Sequence, residues 1–470
     1  MQESLTQNLS PEQTMINLFK DYRHQITANH PEKIIQLKEK AIQQVGTVGF
    51  PGLTTENWRF TNIEPLFEVP YRYDFSNQSR PFDIESIFTC DVYDLDTFSV
   101  TLLNGWFVYK NAPLTSLKDG TVIGSLSKAM EVYPDLVLKH LGSIADITKP
   151  GFAALNTAFF QDGLFIYVPE GVEVEKPIQL INIVNSEKPI LTHPRHLIIQ
   201  EKNTKLTLVH CDHSLTNNVS FTNSISETFL NTNAEMEFYK VQNKGPNSGV
   251  MSHSFFSQKF NSKLNHTSLT LNGGFTKNMI NVVLEEQEAN ATLNGLYLVD
   301  GSQHIDNQLQ IDHAAPHCIS EQLFKGILDD ESTAVFNGKI MVRKDAQKTL
   351  AYQNSKNLLL SDDARANAQP QLEIYADDVK CSHGATVGQL DQEAMFYLRS
   401  RGLDKRAARQ LLMYAYAAEV VNRIGIEPLR ERIDHLVDKR LKGELSICDQ
   451  CVLHCNSKEP AVFNIDMGKI

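Results

Sequence analysis

No run of about eighteen apolar residues occurs anywhere in this 470-residue chain, so the sequence offers no helix able to cross a bilayer. Met1 to Ser10 lack the cationic and then apolar order of a secretory leader, which makes a cytoplasmic location without a membrane partner the expectation. Excess positive charge is missing too. Lys and Arg number 44 against 56 Asp and Glu, a formal net charge of -12, and no basic run could neutralise a row of phosphates, so nucleic acid is not an expected partner. Seven cysteines are too few for a disulfide scaffold at this length, and their odd number leaves at least one thiol unpaired. The phosphate cradle Gly-x-x-x-x-Gly-Lys-Ser/Thr is absent, so the chain is not expected to hydrolyse nucleotide by itself. Long helices are lacking between Lys202 and Asp378. That rules out a doubly wound α/β fold, whose parallel strands need helical crossovers.

What is present is an ordinary globular composition, 41% hydrophobic and 21% charged, with three different textures along the chain. Near the start, Ser10, Pro11 and Gln13 form a capping box ahead of a face carrying Met15, Leu18, Phe19 and Tyr22. A second helix is predicted from Pro31 through Ile34, Ile35, Leu37 and Ile42, stopped by Gly46, Gly49, Pro51 and Gly52. From Thr101 to Leu390 short alternating runs take over, such as Leu206–Val209, Glu235–Tyr239, Ser268–Leu271, Ile280–Leu284 and Gly338–Val342, with Asn, Asp, Gly and Ser between them. Sandwich, propeller and solenoid all fit this texture. One echo bears on the choice: Ala291-Thr-Leu-Asn-Gly295 and Ala334-Val-Phe-Asn-Gly338 lie 43 positions apart, a spacing read as two rungs of a β-helix, although Asn-Gly serves ordinary hairpins equally well.

After Leu390 helical periodicity returns. Asp391 is expected to cap a helix with Met395, Phe396 and Leu398. Asp404 is expected to cap a longer one with Leu411, Leu412, Tyr414, Ala415, Ala418, Val421 and Ile424, and a third is expected to run from Pro428 toward Gly443. Arg399, Arg401, Lys405, Arg406 and Arg409 gather at the first junction, either as a solvated face or as a docking surface for an acidic partner. The chain thus divides into an N-terminal helical region over residues 1–100, a β core over 101–390, C-terminal helices over 391–447 and a cysteine-containing tail over 448–470.

Chemistry-bearing residues are densest in Gln371 to Asp391. Cys381 and His383, two apart, share a face if the strand continues, and thiolate with imidazole suits iron or zinc, with Asp377 or Asp378 adding oxygen. Two ligands do not close a tetrahedral site, so a metal here is expected to be transient or shared with another chain. The competing readings make Cys381 a small buried hydrophobe, His383 a turn residue, and Gly384 and Gly388 backbone devices, or make Cys381 a nucleophile with His383 as its base. In the tail, Cys448, Cys451 and Cys455 with His454 have the head of a metal-site spacing but lack the second cysteine pair. The paired acids Asp362-Asp363 and Asp377-Asp378 suit either turns or a polysaccharide-cleaving β-helix enzyme.

The runs Ala346–Thr349, Asn357–Ser361, Pro370–Asp391 and Phe396–Gly402, with Glu56-Asn-Trp-Arg-Phe-Thr61 and Ser320–Gly326 upstream, closely resemble the SufB/SufD family of iron–sulfur cluster assembly proteins. The Lys380–Gly388 segment is similar to the SufD branch of that family. The resemblance implies a mainly β fold, a right-handed parallel β-helix flanked by N- and C-terminal helical regions. It also implies a non-catalytic scaffold subunit of a SufBCD-type complex that pairs with SufB through the β-helices and docks the SufC ATPase on its C-terminal helices, or pairs with itself when isolated. His383 then carries over as the functional histidine at the assembly interface, with Cys381 as its neighbouring thiol. The implied cargo is iron or an iron–sulfur cluster held transiently at that interface, with no tightly bound cofactor. The cysteine-rich tail departs from the family pattern.

Overall fold

The structure is a computed structural model that describes residues 9–75, 80–81, 95–109 and 111–444. Its body is a parallel β-helix of two 11-stranded sheets. The first sheet stacks Lys205–Ser214, Glu235–Asn243, Lys263–Asn272, Asn290–Val299, Ile319–Leu328, Leu350–Leu359 and Lys380–Gly388. The second stacks Ser220–Leu230, Ser248–Gln258, Phe275–Leu284, His304–His313, Thr333–Val342 and Arg365–Ile374. The chain alternates between the sheets, so each strand lies beside the strand one coil earlier. Lys205 pairs with Glu235, Asn290 with Ile319 and Leu350 with Lys380, about 30 residues per coil. This settles the solenoid and corrects the rung spacing. The echoed segments at Ala291 and Ala334 are one and a half coils apart and lie on opposite sheets.

Alternation explains the core. Leu206, Leu208, Met236, Phe238, Leu264, Ala291 and Leu293 point inward and meet Phe256, Ile280, Val282, Leu309 and Phe336 from the facing sheet. One corner of every coil needs a left-handed residue, supplied in turn by Asn203, Asn233, Asn261, Glu288, His317 and Lys348, all with φ between 50° and 64°. Asn tolerates that conformation best, and the first three form a side-chain ladder in which Asn233 donates to Asn203 and Asn261 to Asn233, each at 2.8 Å.

The outer faces are covered separately. On the second sheet lie helices Pro11–Thr27, Glu32–Val48 and Phe152–Phe159, burying Met15, Phe19, Trp58 and Phe152 against Phe221, Met251 and Met279. Ser10 Oγ accepts from Gln13 N, but the Gln13 amide turns to Asn17 instead of closing the capping box, and Tyr22 stays largely exposed. The cover is tied down by charge. Arg195 and Glu227 form an ion pair of 2.6 Å with both side chains fully buried, while Arg195 also donates to Asn156 and Thr157 on the covering helix.

On the first sheet, helices Lys405–Val421 and Glu427–Lys442 bury Met413, Ala417, Val420, Ile433, Leu436 and Val437 against Val209, Tyr239, Val241, Leu269 and Leu296. Asp391 and Asp404 cap their helices as expected. The docked face of the longer helix differs from the expected one. Leu411 faces solvent at 47% exposure, and Ala408, Arg409 and Met413 turn inward. Arg409 is therefore no part of an exposed cationic surface: it is buried, with its guanidinium 3.7 Å from Asp329. Arg440 is wholly buried too, donating to Leu271 O at 2.8 Å and to Asp300.

Candidate functional site at the open end of the solenoid

The last coil comprises Arg365–Ile374, a turn, and Lys380–Gly388, after which Asp391 starts a helix. Among the described residues no further coil covers it. Lys380–Gly388 pairs with Leu350–Leu359 alone and Arg365–Ile374 with Thr333–Val342 alone, so each sheet ends in a free edge whose outward N–H and C=O groups lack a strand partner. Pro370 stands within the second of these edges, where a missing N–H blunts pairing; the edge that carries His383 contains no proline. Tyr375, Val387, Tyr352 and Ile374 are exposed around it.

His383 and Cys381 lie on this edge strand, in register with Gln353 and Ala351 of the coil beneath. Both point to the interior side of the sheet, as Ala351 and Gln353 do, but His383 is exposed because nothing among the described residues lies above it. Cys381 packs against the small apolar cluster of Ile340, Val342, Ala346 and Ala351. Desolvation raises its thiol pKa above the ordinary value, outweighing a backbone hydrogen bond from Ala351, so at neutral pH it is a protonated, half-buried thiol. Gly384 and Gly388 run in extended strand and have no left-handed backbone to serve.

The remaining predicted donors are dispersed. Asp377 and Asp378 occupy the turn before the strand, and Asp378 is held by an ion pair with Lys348 one coil below. Asp362 and Asp363 are exposed at the opposite corner, so the two acid pairs are not brought to a common site. Among the described residues no group of three or more His, Cys, Asp and Glu side chains is placed to hold a metal ion. A metal at His383 would have to take further ligands from another chain. Cys448, Cys451, His454 and Cys455 lie outside the described residues.

The C-terminal helices carry a second surface. Arg399, Arg401, Lys405 and Arg406 are exposed, as expected, and Arg401 lies 5.1 Å over the Tyr397 ring. Beside them Phe396 is 75% exposed, with Tyr397, Leu403 and Leu411 also in solvent. Between the two long helices runs an open groove of about 500 Å³ where Leu411 and Tyr414 meet Glu431, Asp434 and Asp438. The sequence reading put Leu411 and Tyr414 on the packed face; Tyr414 does lie partly against the core, but Leu411 does not, and the groove went unseen.

Sequence reading also left the tryptophan motif without a job. Trp58 lies over Lys277, its ring centroid 4.2 Å from the ammonium, and Lys277 forms a fully buried ion pair with Asp306. Thr61 donates to the same Asp306 at 2.6 Å, and Asn57 accepts from Asn337 at 3.0 Å. Glu56 to Thr61 is thus a clasp fastening the N-terminal region to the solenoid.

Comparison with known proteins agrees with this architecture. The N-terminal region of SufBD proteins matches residues 9–180, and the SufBD core domain of the SUF system for FeS cluster assembly matches residues 182–416. The SufD iron–sulfur cluster assembly protein of Escherichia coli is 28% identical over 430 residues, covering 91% of this chain and 97% of its own length. SufD of Bacillus subtilis is 27% identical over 461 residues, 91% of this chain and 99% of the relative. A SufBD family protein of Synechocystis is 28% identical over 417 residues, 87% of this chain and 91% of the relative. With both of its regions matched in sequence order, the chain belongs to the SufBD family of iron–sulfur cluster assembly proteins.

Proposed function

We propose that the chain is the SufD-type scaffold subunit of a cytoplasmic SufBCD-type complex, pairing with a SufB-like subunit at the open end of its solenoid and docking a SufC-like ATPase on its C-terminal helices. His383 stands at the subunit junction, where iron or a nascent cluster is the cargo, and ATP turnover belongs to the partner. The observation that carries this reading is the free edge bearing His383: it presents unpaired backbone groups for strand addition and places an exposed imidazole among them. A partner that continues the sheet would supply the ligands that His383 and Cys381 lack. The exposed Phe396, Tyr397, Leu403 and Leu411 supply the apolar contact surface for the ATPase, and Leu403 and Leu411 share the groove with Glu431, Asp434 and Asp438.

The test is His383→Ala in the reconstituted complex. Cluster formation falls several-fold while the variant's thermal unfolding matches that of the parent, because an exposed edge residue carries little packing. Unchanged cluster yield would remove His383 from the mechanism. Co-purification of the chain with its natural partners, with and without Phe396→Ala, tests the docking surface.

A further inference from the structure

Three consecutive coils of the first sheet place Gln322, Gln353 and His383 in one register column. Beneath them the same column reads Leu208, Phe238, His266 and Leu293, so it is mostly apolar until the last three coils and polar to the open end. Gln353 is 1% exposed. Its Nε2 donates to Gln322 Oε1 at 2.7 Å, one coil below. Its Oε1 is buried and has no hydrogen-bond partner among the described residues, His383 in its present rotamer included. The facing sheet makes room for this amide with Gly338, where a Cβ would stand 2.7 Å from Gln353 Cδ. A buried carbonyl without a donor is destabilising, and in the register column the next residue above it, able to supply one from an exposed side chain, is His383. An imidazole that is to use one nitrogen toward a metal or a partner needs the other N–H held by an acceptor, which fixes tautomer and ring direction.

We infer that Gln353 is a positioning residue for His383: a turn of the exposed imidazole toward the solenoid axis brings one ring N–H onto the unserved Gln353 Oε1 and leaves the other ring nitrogen, with its lone pair, directed out of the end of the solenoid. The inference rests on the assignment of His383 to the assembly site, but it is tested by a property of the ring that does not depend on cluster formation.

The experiment is ¹⁵N spectroscopy of the full chain labelled at histidine, with His383 identified by its loss in His383→Ala. At a pH where the ring is neutral, the parent shows one tautomer in excess. Gln353→Met, which keeps volume and removes the acceptor, shifts the tautomer ratio about fivefold toward that of free histidine, the factor set by a hydrogen bond of typical strength. Gln353→Glu retains an acceptor, and the Gln322 amide, whose Nε2 lacks an acceptor, can turn to supply its donor, so the parental tautomer persists. A parental ratio equal to that of free histidine, or a ratio unmoved by Gln353→Met, would overturn the inference. The parental measurement decides the matter alone should Gln353→Met not fold. In the assembled complex Gln353→Met also lowers cluster yield and Gln353→Glu restores it. An altered tautomer with unaltered yield in both Gln353→Met and His383→Ala would leave the positioning intact and sink the functional assignment.

Discussion

Asp306 shows how much a single side chain can carry in this protein. Its buried carboxylate meets Lys277 and the Thr61 hydroxyl, and Lys277 in turn lies under Trp58. Asp306→Ala leaves a lysine buried without a counter-charge, a change expected to cost about 3–5 kcal/mol by urea denaturation. Replacing both partners with apolar residues of similar size should restore most of that loss, and a single variant as stable as the parent would refute the clasp. Cys381 behaves in the opposite way, as a residue held inert. Burial raises its thiol pKa, so its alkylation at pH 7.5, followed by peptide mapping, should lag behind that of an exposed thiol and accelerate only under more alkaline conditions. At this scale the sequence made Cys381 and His383 visible together, since their spacing on a strand puts them on one face. It could not show that the thiol packs into Ile340 and Val342 while the imidazole stays bare, because those neighbours are some 40 residues away in sequence.

Among the elements, the left-handed corners are the most instructive. Asn fills this position in three successive coils and Glu288, His317 and Lys348 fill it in the next three. Glu288→Asn relieves an unfavourable conformation and extends the ladder from Asn261, so the urea midpoint should rise, by the equivalent of about 0.5–1 kcal/mol. A lowered midpoint would mean that the Glu288 side chain does more than occupy the corner. The C-terminal helices were recognisable as helices from their Asp caps and from Gly443, which takes the left-handed C-terminal position at φ 74°. Their orientation was not. The helix Lys405–Val421 has apolar residues on more than one face, and the stripe that docks is the one with small Ala408 and Ala417, which let the helix lie close against the sheet. Arg409 comes inward because Asp329 waits there. The consequence is an exposed Phe396 and Leu411, and on the docking proposed above Phe396→Ala should weaken capture of an ATPase partner without moving the unfolding temperature.

For the molecule as a whole, buried histidines set the response to acid. Desolvation, reinforced by nearby cations, pushes His193, His253 and His266 down to about 3, and burial pushes His313 down to about 4. In the unfolded chain these rings titrate near 6.5, so between pH 6.5 and the folded values the unfolded state binds more protons and stability falls with falling pH. Each ring contributes up to about 1.4 kcal/mol per pH unit in that window and nothing above it. The urea midpoint should therefore drop steeply below pH 6; a midpoint constant from pH 7.5 to 5 would contradict the burial of these rings. No helix among the described residues is long and apolar enough to cross a membrane.

Local chemistry alone fixed a good deal here: alternation in the strands, Asn at the corners, acidic caps on the helices, and a Cys-x-His pair on one strand face. These are properties of neighbouring residues, and the sequence displays them directly. Stacking decided the rest. The coil length of about 30 residues, the placement of His383 above Gln353, the turning inward of Arg409 and Arg440, and the bare edge at the end of the solenoid all depend on which distant strand pairs with which. Register between parallel strands is chosen by the packing of whole faces against one another, and a slip by one residue would exchange inside for outside along the entire strand. That choice is made only when the coils close on each other, and the site at the open end exists because of it.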